Sequence, residues 1–471
     1  MEEVLKRKDE LIKDTQEFLR IKSILDEENG TKTAPLGEGI DAALQYLLSK
    51  GSEEGFIAKN VDGLAGHIEM GHGEELVGIL CHVDVVPEGD GWSSDPFGAE
   101  IRDGKIFARG AIDDKGPTMA AYYAMKILKE SGVSLNKRIR MIIGTDEESN
   151  WRCVEHYFKH EEMPTMGFAP DADFPIIYAE KGIADFDLEM KVDPSIVTSS
   201  LVEGTIVLKS FQSGRRYNMV PDFAEARLNT TTPQDEELLT EFNNYITKYQ
   251  LLGRGYVEEN TLIFELEGQS AHGMEPRKGK NAGLLLATFL KGVQLDTNAS
   301  TYISFLSEYF YEDSRGEKLG VSYSDEITGD LTINVGKMKY TSETGGSIGI
   351  NLRYPVTNDM DNTRDKIEKV AATGSFSLTN FSDSKPHHVD KNHSLVKTLQ
   401  KVYEEQTGEE ATLISIGGGT YARSLKAGVA FGPLFPGRPD SAHQKDEYII
   451  IDDLLKATAI YAQAISELGK I

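Results

Sequence analysis

The sequence predicts an α/β protein whose central sheet is mostly parallel and whose chain is interrupted by an inserted α+β domain. Short apolar runs, typical of buried strands, occur at residues 76–81, 138–144 and 166–169. A helical pattern from Pro117 to Ser131, closed by Gly132, lies between the first two runs. Because a strand–helix–strand order brings successive strands together in parallel, these elements predict the central sheet.

The middle of the chain shows a different pattern. Residues 184–383 contain segments in which apolar and polar residues alternate, such as 261–266, and this alternation is typical of antiparallel strands. Helical spacing is found at residues 4–24, 39–50, 235–249, 283–295, 361–372, 393–406 and 451–468. Helix and strand patterns return after Pro386. We therefore expect one domain built from residues 1–183 and 384–471, with residues 184–383 inserted into it.

Composition and charge narrow the classes of function. The chain of 471 residues carries a formal charge of −26, so a nucleic-acid partner, which requires a basic surface, is not expected. No run of about 18 apolar residues occurs, so no membrane span is expected. The N-terminus shows no apolar stretch of the signal-peptide type, and the only cysteines, Cys81 and Cys153, stand in unrelated contexts. These features predict a cytoplasmic protein.

Histidine and carboxylate side chains follow the predicted strands. His82 and Asp84 come where an apolar run stops, and residues two apart in a strand point to the same side. Further clusters of this kind contain Asp113, Asp114, Asp146, Glu147, Glu148, Asp171 and, far downstream, His443. Solvated carboxylates of an acidic protein would account for any one cluster, but not for their shared position after apolar runs. Imidazoles with several carboxylates suit Zn²⁺, Mn²⁺ or Co²⁺, so the sequence predicts a metal site at one edge of the sheet.

The same strings resemble those of the M20 metallopeptidases. The resemblance is carried by residues 82–87, 109–117, 144–149 and 169–172, and it extends from about residue 10 to the C-terminus. It is closest to the dinuclear-zinc dipeptidases of the PepV-like and Xaa-His (carnosinase-like) branch. The resemblance implies a zinc-exopeptidase-type catalytic domain interrupted by a lid domain.

The size of the predicted lid bears on the oligomeric state. In dimeric members of the family the insertion is about half as large as residues 184–383 and supplies the dimer interface, whereas the PepV-like branch has an enlarged lid. The resemblance therefore implies a monomer. Closure of the lid is expected to bend the chain near residues 183–186 and 383–387.

The resemblance also implies a ligand set for two Zn²⁺ ions per chain, with Mn²⁺ or Co²⁺ as alternatives. Its members are His82 and Asp171 for one ion, Glu148 and His443 for the other, and Asp113 as the bridge between them. The residues alone leave Asp113 and Asp114 open as the bridge, and the resemblance favours Asp113, with Asp114 as a local hydrogen-bonding residue.

Three further residues have implied catalytic roles. Glu147, adjacent to a metal ligand, is expected to act as general base and then as general acid. Asp84 is expected to hold His82 in one tautomer. His272, in the string at 268–273, matches a family histidine that donates a hydrogen bond to the oxyanion of the transition state.

The substrate-binding residues are expected in and near the lid. Arg353 resembles the lid arginine that binds the C-terminal carboxylate of the substrate, which a guanidinium matches with two parallel hydrogen bonds. Asn218 resembles a second lid residue close to that carboxylate. Gly417 and Gly418 belong to a glycine run that we interpret as a wall of the substrate cleft. A phosphate-binding loop is disfavoured, because no Gly-Lys-Ser/Thr follows the run.

We therefore expect a cytosolic dipeptidase that hydrolyses unblocked dipeptides. A deacylase of N-acyl amino acids, such as succinyl-diaminopimelate desuccinylase, shares the metal ligands and is the alternative. A non-catalytic binding protein on the same fold is disfavoured, because the complete set of ligands, base and lid histidine is present.

Overall fold

The computed structural model describes residues 1–192, 205–229 and 233–470. The helices in these ranges are α1 (Glu2–Leu5), α2 (Lys8–Leu19), α3 (Glu38–Glu53), α4 (Lys115–Glu130), α5 (Arg152–His160), α6 (Pro233–Lys248), α7 (Ala282–Leu290), α8 (Thr297–Tyr309), α9 (Met360–Thr373), α10 (Ser394–Thr407) and α11 (Ile451–Leu468). None of them is both long enough and apolar enough to span a membrane.

The strands alternate with these helices in the first part of the chain and dominate the middle. They are β1 (Ile57–Val61), β2 (Ala65–Gly71), β3 (Leu76–His82), β4 (Glu100–Arg102), β5 (Lys105–Phe107), β6 (Arg138–Gly144), β7 (Met166–Ala169), β8 (Ala172–Asp173), β9 (Ile176–Glu180), β10 (Gly182–Met190), β11 (Val207–Ser213), β12 (Phe223–Asn229), β13 (Leu252–Glu258), β14 (Thr261–Glu267), β15 (Ser324–Asp325), β16 (Gly329–Asp330), β17 (Thr332–Thr341), β18 (Gly345–Tyr354), β19 (Phe376–Ser384), β20 (His387–His388), β21 (Leu413–Ile416), β22 (Gly428–Ala430), β23 (Pro433–Leu434) and β24 (Tyr448–Ile450).

The chain forms two compact units. The first contains Met1–Ala179, His388–Ser415 and Thr420–Ile471, and the second contains Glu180–His387 together with Ile416–Gly419. Both units are built from separate segments of the chain. The protein is a mixed α/β protein, in agreement with the fold class predicted from the sequence.

The first unit is built on a sheet with a parallel centre. The nine strands of this sheet follow the order β1-β2-β6-β3-β7-β22-β9-β20, and β21 pairs with β9. The pairs β6–β3, β3–β7 and β7–β22 are parallel, whereas β1–β2, β2–β6 and β22–β9 are antiparallel. Helix α4 is buried along almost its whole length and packs against α2 and α11. Because the pairs β6–β3, β3–β7 and β7–β22 are parallel, the carboxyl ends of these strands share one edge of the sheet.

The second unit is an antiparallel sheet covered by helices. Its strands follow the order β13-β14-β12-β11-β17-β18-β10-β19. Helices α6, α7 and α9 contact its strands, and α8 packs on α7. The register of β17 and β18 places Thr332 opposite Arg353 and Asn334 opposite Asn351. Because residues opposite each other in a sheet share a face, these four side chains lie on one face of the unit.

The structure corrects two predicted helices. The helix predicted over residues 4–24 is two helices, α1 and α2. The helix predicted over 283–295 ends at Leu290, and α8 follows, capped by the Asp296 carboxylate, which accepts a hydrogen bond from the backbone N–H of Ala299 at 3.0 Å. The segments 183–186 and 383–387, near which a bend on lid closure is expected, include residues of β10 and β19 that pair with each other. The chain passes between the units at 179–180, 387–388, 415–416 and 419–420.

Candidate metal centre and substrate-binding residues

The predicted metal ligands of the first unit come together at the carboxyl edge of its parallel strands. His82 is the last residue of β3, Glu148 follows β6 and Asp171 follows β7. Asp113 lies just before α4, and His443 lies in the loop before β24. The parallel order of β6, β3 and β7 is the reason that side chains so distant in sequence meet.

These ligands form two groups that share Asp113. In the first group, His82 Nε2 lies 3.1 Å from Asp113 Oδ1 and 3.5 Å from Asp171 Oδ2. In the second, His443 Nε2 lies 3.0 Å from Asp113 Oδ2 and 3.0 Å from Glu148. Within each group one ligand atom per residue lies within 4.8 Å of the others. Asp113 thus directs one oxygen toward each histidine, which is the geometry of a carboxylate that bridges two cations.

Asp114 is adjacent to Asp113, but its carboxylate is hydrogen-bonded to a backbone N–H and a hydroxyl rather than to the side chains of the two ligand groups. Its Oδ2 accepts a hydrogen bond from the backbone N–H of His82 at 3.1 Å and one from the Thr118 hydroxyl at 3.2 Å. The side chain is fully buried, and burial raises the pKa of its carboxyl well above the ordinary value. The geometry therefore supports Asp113 rather than Asp114 as the bridging ligand.

The electrostatics of the cluster fit divalent cations. Burial raises the pKa of the carboxyl groups of Glu147, Glu148 and Asp171, the last to about 7. Hydrogen bonds that the His443 imidazole donates to the carboxylates of Asp113 and Glu148 raise its pKa to about 11. Like-charged carboxylates crowded in a buried site are costly unless a cation compensates them, and carboxylate oxygens with imidazole nitrogens are ligands that Zn²⁺ accepts.

Asp84 contacts a residue from each ligand group, His82 and Glu148. The Nδ1 of His82 donates to the backbone carbonyl oxygen of Asp84 at 3.0 Å, and Asp84 Oδ1 lies 3.4 Å from the same nitrogen. Because a carbonyl oxygen can only accept, the His82 proton is on Nδ1 and Nε2 faces the cluster. The other oxygen, Oδ2, accepts from the backbone N–H of Glu148 at 2.9 Å.

Glu447 anchors the loop that bears Asp113, and it was not identified from the sequence. This buried carboxylate accepts hydrogen bonds from the backbone N–H groups of Gly110, Ile112 and Asp113 at 2.9–3.1 Å, and from the Arg109 guanidinium at 2.6 Å. Glu447 therefore holds the loop that presents Asp113. The available signal was its place in the same acidic string as His443.

In the second unit, the surroundings of His272 define its tautomer. His272 Nδ1 accepts a hydrogen bond from the backbone N–H of Met274 at 3.1 Å. Partial burial, together with the nearby charge of Arg353, lowers the pKa of this imidazole. A neutral ring that accepts at Nδ1 carries its proton on Nε2, so His272 presents an N–H donor.

Asn218 lies against the His272 loop. The carbonyl oxygen of Asn218 accepts from the Gly273 N–H at 2.7 Å. Asn334 fixes the same turn, because its side-chain amide donates to the carbonyl oxygens of Tyr217 at 2.7 Å and Met219 at 3.0 Å. Asn334 has no motif around it that could have signalled this role.

The Arg353 guanidinium is held in one orientation. It is 5% exposed, its Nε donates to Asn351 Oδ1 at 2.8 Å, and its Nη1 donates to the Gly417 carbonyl oxygen at 3.1 Å. A side chain at Gly417 would place its Cβ 3.2 Å from the Cβ of Met274, whereas Gly418 has more open surroundings. The second unit thus brings Asn218, His272, Arg353 and Gly417 into one neighbourhood.

Comparison with known proteins defines the class of this chain. The model of Peptidase family M20/M25/M40 matches residues 78–467. A Bacillus subtilis (strain 168) protein named "Putative dipeptidase YtjP" is 59% identical over 468 residues, which is 99% of each chain. A Staphylococcus epidermidis protein named "Putative dipeptidase" is 46% identical over 98% of each chain. The chain belongs to Peptidase family M20/M25/M40 and is a hydrolase that acts on peptide bonds.

Solved structures share the fold at low sequence identity. Aminoacylhistidine dipeptidase from Vibrio alginolyticus aligns with a TM-score of 0.58 at 14% identity, covering 97% of this chain and 96% of that one. Human carnosine dipeptidase 1 aligns with a TM-score of 0.54 at 16% identity, covering 99% and 98%. The M20 family metallo-carboxypeptidase Sso-CP2 from Sulfolobus solfataricus aligns with a TM-score of 0.57 at 18% identity, covering 98% and 99%.

Proposed function

We propose that this protein is a dinuclear metallo-dipeptidase that hydrolyses unblocked dipeptides in the cytosol. The observation that carries the proposal is the pair of ligand groups that share Asp113. The names of the relatives in Bacillus and Staphylococcus support the substrate class. Two Zn²⁺ ions are the proposed occupants, because each group combines one imidazole with carboxylates. Both cysteines are buried and free, which is compatible with a reducing compartment.

Five residues of the candidate centre would bind the metal ions, and Glu147 would transfer the proton. His82, Asp113, Glu148, Asp171 and His443 would hold the two ions. When bound, such ions act as Lewis acids and lower the pKa of a water molecule toward neutrality. Glu147 belongs to neither ligand group, and its Oε2 lies 3.9 Å from His82 Nε2. We assign to Glu147 the transfer of a proton from the attacking water to the departing amine.

The second unit would act as the lid and bind the rest of the substrate. Arg353, held by Asn351 and Gly417, offers a fixed guanidinium for the C-terminal carboxylate. His272 offers its Nε2–H to the oxygen of the scissile carbonyl, on which negative charge develops. Asn218 lies against the loop that bears His272 and would contact the substrate close to its C-terminal carboxylate.

The substrate class is tested with a panel of compounds. Purified protein loaded with Zn²⁺ or Mn²⁺ is assayed with dipeptides, a tripeptide, and N-acetyl and N-succinyl amino acids. We expect release of free amino acids from the dipeptides and little turnover of the N-acyl compounds. Preferential cleavage of the N-acyl compounds would contradict the proposal and establish a deacylase.

The ligand assignment predicts loss of metal on mutation. His82→Ala and Asp113→Ala should each lower the number of ions that remain bound after buffer exchange, because each removes a ligand. Elemental analysis by mass spectrometry measures this number. His72→Ala and Asp90→Ala are matched controls, since both side chains are exposed, and they should leave the metal content unchanged. Full metal content in His82→Ala would show that His82 is not a ligand.

The carboxylate assignment predicts a change in KM. Arg353→Met should raise KM for dipeptides at least about tenfold, since a hydrogen bond to a charged group contributes about 1.5–3 kcal/mol. Metal content should stay unchanged. The native enzyme should cleave C-terminally amidated dipeptides poorly, and the variant should discriminate less between acid and amide. Arg364→Met, which removes an exposed guanidinium paired with Glu368, is the control. Equal cleavage of acid and amide by the native enzyme would refute the assignment.

A further inference from the structure

A second set of metal-ligating side chains lies on the surface of the first unit, formed by His156, His160 and Asp62. His156 and His160 are on α5, and Asp62 is in the turn between β1 and β2. One ligand atom from each of the three lies within 4.8 Å of the others. None of the three belongs to the candidate metal centre. We propose that they form a separate site for one divalent transition-metal ion of the Zn²⁺ type.

The helix places the two imidazoles side by side. Residues four apart on a helix lie on the same face, and the ring centroids of His156 and His160 are 4.3 Å apart. His160 Nδ1 lies 2.9 Å from the backbone carbonyl oxygen of His156. Because that oxygen can only accept, the ring proton is on Nδ1. The Nε2 of His160 therefore keeps its lone pair for a metal.

The carboxylate comes from a well-defined turn. Asp62 Oδ2 lies 2.9 Å from His156 Nε2, although the two residues are 94 positions apart in sequence. The turn is stabilised by Asn60, whose side-chain oxygen accepts from the Gly63 N–H at 2.7 Å. In a tetrahedral zinc site with bonds of about 2.0–2.1 Å, ligand atoms lie about 3.3 Å apart. The separations in the structure, all within 4.8 Å, exceed this value by at most about 1.5 Å.

The local charge and exposure favour binding. The side chain of Asp62 is 69% exposed and that of His156 is 26% exposed, so an ion can enter and solvent can fill the remaining coordination positions. The nearest lysine on the helix, Lys159, is paired with Glu155 at 2.6 Å, which offsets its repulsion of a cation. Two imidazoles with one carboxylate suit Zn²⁺, Co²⁺, Ni²⁺ or Cu²⁺ rather than Mg²⁺ or Ca²⁺.

The bound ion would cross-link the β1–β2 turn to α5. This helix begins at Arg152, shortly after Glu148, and the Arg152 guanidinium donates to the Asp146 carboxylate at 2.7 and 2.9 Å. The cross-link would therefore stabilise the segment that follows the loop bearing Glu147 and Glu148. Its effect is structural, and turnover at saturating substrate should not depend on it.

The number of bound ions tests the proposal. Protein with a loaded metal centre is titrated with Zn²⁺ and followed by calorimetry and elemental analysis. The native protein should bind one more Zn²⁺ than His160→Ala or Asp62→Asn. Loss of a direct ligand should weaken the additional binding by at least about 10–100-fold, the range found for residues that only orient metal ligands. The exposed His72→Ala is the matched control and should bind as many ions as the native protein.

A second measurement separates this site from the candidate metal centre. Glu148→Ala should lose an ion from the centre but keep the additional ion that depends on His160. Zn²⁺ added after the centre is loaded should raise the Tm of the native protein and of His72→Ala, but not that of His160→Ala. Equal zinc stoichiometry in the native protein and His160→Ala would overturn the proposal and leave His156 and Asp62 as an ordinary ion pair.

Discussion

Glu147→Gln is expected to lower kcat by about 10²–10⁴-fold, the contribution typical of a general base, while both metal ions stay bound. The substitution preserves size and removes the proton acceptor. Glu147 is outside both ligand groups, so the ligands of the two ions remain intact. Burial raises the pKa of this carboxyl, which is the direction required of a group that first accepts and then donates a proton near neutral pH. Steady-state kinetics and elemental analysis measure the two outcomes.

The neighbouring residue provides the control for this prediction. Glu148→Gln changes the carboxylate that lies 3.0 Å from His443 Nε2, and it should lower metal content as well as activity. A difference between the two variants in bound metal would distinguish the base from the ligand. If Glu147→Gln turned over dipeptides at a near-native rate, the assignment of the base would be refuted.

His272→Ala is expected to lower kcat by about 10²–10³-fold, the cost typical of losing one donor to a developing oxyanion. The imidazole is neutral with its proton on Nε2, since Nδ1 accepts from Met274 N–H and the pKa is lowered. Because His272 belongs to the second unit, metal content should not change. Single-turnover kinetics on the metal-loaded variant measure the effect. A variant that keeps native kcat would show that the oxyanion is stabilised by other groups.

Mixing variants tests whether this histidine acts within its own chain. We propose a monomer, so a mixture of His272→Ala and Glu147→Gln chains should stay inactive, and light scattering should give the mass of one chain. If two chains shared an active site, hybrids would combine an intact base with an intact histidine. Recovered activity in the mixture would therefore contradict both the monomer and the action of His272 within its own chain.

Local patterns in the sequence were sufficient to predict the position and type of many strands and helices. The strands at 138–144 and 166–169 and the helix at 451–468 match their predicted bounds, because apolar periodicity reports burial of each element separately. The same reasoning missed α8, although Asp296 was a readable N-cap. It also placed the helix end at 295 rather than 290, since apolar residues continue beyond the last helical turn.

The sequence by itself also determined which residue types stand at strand ends, and hence that a metal site was to be expected at one edge of the sheet. Only the tertiary structure decided how those residues pair. Asp113 and Asp114 are the same residue type at adjacent positions, so the sequence does not show which of them faces the metal site. In the structure Asp113 faces His82 and His443, whereas Asp114 accepts from a backbone N–H. The anchoring of the Asp113 loop by Glu447 and the meeting of Asp62 with His156 likewise depend on which segments pack together. Such contacts are set by long-range packing, which no local periodicity encodes.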